Sequence, residues 1–73
     1  PRGFSPDEIR ALRRRLKLSV GMFASLFAVS DKTVEAWEAG TNVPSGPALR
    51  LMSMIIVYPD ILVDTRTFYE TAD

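Results

Sequence analysis

Ser30-Asp31-Lys32-Thr33 sets two hydroxyls, a carboxylate and an ammonium on four successive positions, with Glu35 and Ala36 close behind. This set offers hydrogen-bond donors, acceptors and charge, but no nucleophile with a base beside it. The chain has neither histidine nor cysteine, which removes the usual zinc ligands, the His-assisted nucleophiles and any disulfide. The carboxylates are scattered along expected surface positions, so no acid–base pair or metal site assembles. The expectation is a protein that is not an enzyme and uses no metal and no cofactor. The chemistry that remains is recognition.

Charge is sorted along the chain although the formal net charge is zero. Arg10, Arg13, Arg14, Arg15 and Lys17 carry no acid among them, whereas Asp60, Asp64, Glu70 and Asp73 crowd the end. A basic front of this kind can face an anion while the whole stays soluble. The run Arg13–Arg15 suits a solvated helix face, a flank against the DNA backbone or a partner protein, and the sequence leaves these open. The 73 residues make one domain, 1–73, with 47% apolar residues. A chain of this size buries only about 60% of its unfolded surface, so it needs tight packing or association. Its apolar runs fall short of the roughly 20 residues of a membrane span, and no signal peptide is visible. A cytoplasmic protein is expected. Because the sequence opens on Pro1, the domain is expected to be part of a longer chain.

Five short helices account for the pattern. In the first, at about 6–16, Ser5 caps, Pro6 opens, Glu8 completes a capping box, and Phe4 and Ile9 form a hydrophobic staple. Ile9, Leu12 and Leu16 make its core stripe. The second starts after Ser19 and stops near Phe27, with Phe23, Ala24 and Phe27 on one face. The third starts after Ser30, with Asp31 favoured by the helix dipole, Val34 and Trp37 facing inward, and Gly40 as the stop. Thr41 to Pro47 reads as a loop. A helix from Pro47 to Tyr58 is apolar nearly all round: Leu49, Met52 and Ile56 on one side, Leu51, Met54, Ile55 and Tyr58 on another. Pro59 ends it and opens a fifth helix over Asp60–Asp64. The fold class is all-α.

Two short helices joined by so brief a break, with small Ala24 at the crossing and Val29 in the corner, make a helix-turn-helix. Val34 and Trp37 hold the second helix to the core; Trp37 belongs there and is not a stacking platform for bases. Asp31, Lys32, Thr33 and Ala36 are left outward at a helix end, which fits the roughly 12 Å wide major groove of B-DNA. There an aspartate accepts from cytosine N4, a lysine donates to a base or phosphate, and an alanine meets a thymine methyl.

The segment from Leu12 to Met52 resembles the XRE (Cro/C1-type) helix-turn-helix family. Leu18-Ser19, Phe23-Ala24, Val29-Ser30, Thr33-Val34, Trp37-Glu38, Gly40 and Pro44 carry the likeness, with the helix-turn-helix core at about 19–39. The flanks "SPDEIRALRRRL" and "PSGPALRLM…YPDIL" look most like the HigA/NadS type of antitoxin regulator. The resemblance implies a lambda-repressor-like domain and a dimeric repressor of its own toxin–antitoxin operon, binding double-stranded operator DNA and a toxin. It places Asp31, Lys32 and Ala36 where family members read bases, with Thr33 at their border. It places Ser19, Ser30, Thr41 and Asn42 where phosphates are held. Two residues depart from the family: Val20 stands where a DNA-contacting Gln is common, and Ala28 where the turn usually has Gly. A left-handed Ala28 would carry a strain of about 1–2 kcal/mol.

The apolar surplus of the 47–73 region suggests a two-fold seam, since paired reading heads sit about 34 Å apart on DNA. Its candidate residues are Leu51, Met54, Ile55, Tyr58, Ile61, Leu62, Phe68 and Tyr69. Two other readings stand beside the antitoxin: a phage-type or other XRE regulator without a toxin, and a protein-interaction module that has lost DNA binding. Zero net charge, Val20, Asp31 and Glu35 favour the module.

Overall fold

The computed structural model describes residues 3–60. Four helices appear among them: α1 (Pro6–Arg15), α2 (Val20–Leu26), α3 (Asp31–Ala39) and α4 (Gly46–Val57). This corrects the expected count of five for the described part of the chain; the fifth helix expected over Asp60–Asp64 falls, from residue 61 onward, outside the described residues.

Every helix starts on a serine in extended backbone. Ser5, Ser19, Ser30 and Ser45 accept from the N–H of Glu8, Met22, Thr33 and Ala48 at 3.1, 3.1, 3.2 and 3.3 Å. Each such cap satisfies an otherwise orphaned amide and contributes about 1 kcal/mol. At Ser5 the box is complete, because Glu8 also accepts from the Ser5 N–H at 2.8 Å. Ser45 moves the start of α4 one residue ahead of Pro47, the expected first position.

The first three helices end alike. Leu18 N–H donates to Arg13 C=O and Lys17 N–H to Arg14 C=O; Val29 donates to Ala24 and Ala28 to Ser25; Thr41 donates to Ala36 and Gly40 to Trp37. These are Schellman ends, which require a left-handed residue just past the helix. Lys17 (φ 58°), Ala28 (φ 57°) and Gly40 (φ 81°) occupy that place. Only Gly40 is a glycine, and a Cβ there would also press to 3.3 Å from Pro6 Cγ. Ala28 thus takes the strained conformation that the departure from Gly implied. Replacing it with glycine relieves about 1–2 kcal/mol of strain and loses about 0.4–1 kcal/mol through the freer unfolded chain. Ala28→Gly is therefore expected to raise stability by up to about 1 kcal/mol, seen as a rise of a few degrees in the thermal midpoint.

α3 packs against both α1 and α2. The core contains Ile9 and Leu12 of α1, Leu18, Phe23 and Ala24 of α2 and its approach, Val34 and Trp37 of α3, and Ala48, Met52 and Ile55 of α4. Val29 fills the corner from a half-buried position, as the helix-turn-helix reading requires. Phe27 links two aromatic neighbours, 4.8 Å from Phe23 and 5.7 Å from Trp37, the second edge-on.

The face assignment of α4 needs correction. The packed stripe is Ala48, Leu51, Met52 and Ile55, while Ile56 is exposed and Leu49 only half-buried. A helix apolar on all sides gives periodicity nothing to select, so the core surface that α4 meets decides which stripe is buried. Ile55, expected on the dimer seam, is only 1% exposed inside this chain's own core, and Leu51 packs against that core. Met54 and Tyr58 are exposed, as are Ile56 and Val57. Ile61, Leu62, Phe68 and Tyr69 lie outside the described residues.

Candidate nucleic-acid interface

The outward end of α3 is built from its cap. Ser30 accepts the Thr33 N–H, and the two hydroxyls lie 3.0 Å apart. Asp31 and Lys32 are exposed; Thr33 and Ala36 are half-buried. This alternation follows from the helix: Val34 and Trp37 turn inward, Asp31, Lys32 and Glu35 turn out, and the residues between are grazed by solvent. The Asp31 carboxylate is folded back over the start of α2, where a Cβ added to Gly21 would lie 3.6 Å from its Oδ2. The starts of the two helices thus lie close together. Ser19 therefore belongs to the same edge as Asp31 and Lys32.

Thr41 and Asn42 sit at the opposite end of α3. Nine residues of helix separate the ends by about 14 Å, comparable with the groove width. Thr41 uses its N–H on Ala36 C=O at 3.0 Å; Asn42 accepts from the Val43 N–H at 2.9 Å through Oδ1, which leaves its amide NH2 outward. Both are exposed. Ser19, Ser30, Thr41 and Asn42 are thus split between two ends of one helix pair.

The basic run divides, in a way that sequence reasoning missed. Arg13 grips the Glu38 carboxylate with two nitrogens, Nε to Oε2 at 2.6 Å and an Nη to Oε1 at 3.1 Å, and its other Nη donates to Leu18 C=O at 3.2 Å. Arg10 donates to Glu38 C=O at 2.7 Å and to Asp7 at 2.9 Å. Two guanidinium groups thereby close the C-terminal end of α3, where the helix dipole favours cations. The bond to Glu38, opposed by desolvation, holds the Arg13 guanidinium above the usual arginine range. Arg10 and Arg13 are struts between α1 and α3, whereas Arg14, Arg15 and Lys17 are exposed. A signal was available: Arg13 fills the i+4 slot of the stripe begun by Ile9, and Glu38 the same slot after Val34.

Among the described residues no group of acids could hold a metal ion, and no helix is long and apolar enough to cross a membrane. The helix pair presents an edge that carries the exposed Ser19, Asp31 and Lys32. Comparison with known proteins finds two relatives of the chain. Over 58 residues, 80% of the chain, it is 41% identical to Antitoxin HigA-2 of Vibrio cholerae. Over 64 residues, 88% of the chain, it is 34% identical to a protein of Archaeoglobus fulgidus named as an HTH-type transcriptional regulator. The chain belongs to the XRE-type helix-turn-helix family, on its HigA-like side. It spans 56% of the length of the first relative and 21% of the second. No model of a protein family matches the chain.

Within that family, Val20 is half-buried and packs against the core, which gives the departure from Gln a structural use.

Proposed function

We propose that the chain is the DNA-binding domain of a transcriptional repressor, the antitoxin of a type II toxin–antitoxin pair, which acts as a dimer on its own operon. The observation that carries the DNA reading is the exposed first turn of α3, with Asp31 and Lys32 outward and Thr33 and Ala36 beside them, held by a helix pair anchored through Val34 and Trp37. The antitoxin role rests on the name of the Vibrio cholerae relative. The dimer rests on exposed Met54, Ile56, Val57 and Tyr58 at the end of α4. Asp31 favours cytosine N4 and Lys32 a guanine edge or a phosphate. In this reading Thr41 and Asn42 hold the far backbone and Ser19 and Ser30 the near one.

Selection from a random duplex pool would define the operator. On that operator Lys32→Ala is expected to cost about 1–3 kcal/mol, roughly 5- to 150-fold in affinity. Equal binding by the variant and the wild type, measured by fluorescence anisotropy, would overturn the assignment of the reading end. Arrest of growth by the neighbouring gene, relieved by this protein, tests the antitoxin role.

One observation favours a second reading, an interaction module without DNA binding. Arg10 and Arg13 are paired internally with Asp7 and Glu38, and α3 presents Asp31 and Glu35 outward. Failure to be retained on random DNA at low salt would select it.

A further inference from the structure

The residue just past the end of α1 is an uneconomical choice for its backbone. Lys17 stands in left-handed backbone at φ 58°, a position where glycine carries no steric cost and lysine does. Its conformation is imposed: Lys17 and Leu18 N–H close the Schellman end. Leu16 and Leu18 on either side are anchored to the core. The Lys17 side chain itself is exposed and makes no ion pair among the described residues. Nothing in the packing explains why a long cation occupies the site.

Its neighbourhood supplies a reason. Lys17 precedes Ser19 by two residues, so their Cα atoms lie within about 7 Å. Ser19 shares an edge with the start of α3, because the Asp31 carboxylate lies beside Gly21. That edge is short of positive charge. Arg10 and Arg13 are committed to Glu38, and α3 contributes two outward acids against Lys32. A duplex presented to this edge needs a cation for the phosphates that flank the groove.

We infer that Lys17 is a DNA-phosphate contact, a positive charge kept at a position whose backbone would prefer glycine. This rests on the DNA reading above and names a residue that the family resemblance does not assign to DNA. It has an unusual consequence: the substitution that stabilises the fold should weaken its function.

The test uses the full-length protein and a labelled random-sequence duplex, whose binding is electrostatic and needs no operator. Lys17→Gly is expected to raise the melting temperature and to make the log–log salt slope shallower by about 0.9, one phosphate's share; affinity at 0.1 M salt falls roughly 8-fold. Lys17→Arg keeps the wild-type slope. Lys17→Asn, which also tolerates left-handed backbone, repeats the loss of slope without the glycine. A Lys17→Gly protein that binds with unchanged slope overturns the inference and leaves the DNA reading intact. A wild-type protein without salt-dependent binding removes the DNA reading, and this inference with it.

Discussion

Glu38→Ala is expected to destabilise the domain by about 2–3 kcal/mol, although both residues of the pair that it breaks are charged. Most ion pairs between helices lie in water and contribute under about 1 kcal/mol. This one differs in accessibility and geometry. The side chains of Arg13 and Glu38 are 16% and 10% exposed, and the contact is a two-pronged one at 2.6 and 3.1 Å. Removing the carboxylate strands the guanidinium of Arg13 between α1 and α3. For a wholly buried pair that costs about 3–5 kcal/mol; the water that reaches Arg13 lowers the figure. Against a total stability near the low end of the usual 5–15 kcal/mol, the midpoint should fall by roughly 10–20 °C. Thermal unfolding followed by circular dichroism measures this, and a fall below about 5 °C would show that the pair behaves as a surface one. The double variant Arg13→Met/Glu38→Leu should recover most of the loss, because no charge is then left stranded. The pH dependence has a definite sign. Arg13 is held above its ordinary range, so its contribution is complete below that range and fades only when pH rises through the still higher folded value. Titration between pH 5 and 9 should leave the Arg13 contribution in place.

The same pair marks where sequence and structure part. The starts of α1, α2 and α3 were legible because each is stated locally: a serine, then a free amide three residues on, and at Ser5 a Glu8 that answers it. The Gly40 stop was legible for the same reason. At α4 the prolines drew the start to Pro47 and hid the Ser45 cap. Arg13 and Glu38 were not legible, because a charged side chain is by type an exposed one, even though each occupies an inward slot on its own helix. Two core-stripe residues of opposite sign on different helices are a long-range statement, visible only when both stripes are compared. α4 failed in another way. With apolar residues on all sides, its phase was set by which partner surface it met, and Ile55 went into the core instead of the seam. Of the candidate site, the turn from Ser30 to Ala36 was readable from capping and periodicity. The folding of Asp31 over Gly21 was not, since it depends on how α2 and α3 cross. Nor does Lys17 look like a helix stop in sequence, because its left-handed backbone is forced by hydrogen bonds and not invited by its side chain.

Trp37→Ala should have the largest effect of any single change considered, about 3–5 kcal/mol, enough to leave much of the protein unfolded. Trp37 is 3% exposed and presents its ring edge-on to Phe27 at 5.7 Å, while Phe27 leans on Phe23 at 4.8 Å. Removing the indole opens a cavity at the point where α3 meets the core and ends a chain of aromatic contacts worth about 0.5–1.5 kcal/mol per pair beyond area. Trp37→Phe keeps a ring against Phe27 and should lose only about 1–2 kcal/mol. The contrast matters because an exposed tryptophan beside a DNA ridge would invite a stacking role. Trp37 is the sole tryptophan, so its emission reports both cases. A core residue emits from an apolar setting, is little altered by saturating duplex, and shifts to the red only on unfolding. Trp37→Phe should therefore hold duplex DNA as tightly as the wild type does under conditions where both are folded. Strong quenching of the folded protein by DNA, with weak binding by Trp37→Phe, would place the indole at the interface and remove it from the core. The expected pattern is the opposite: stability follows the ring at position 37, and recognition follows the charges a turn earlier on the same helix.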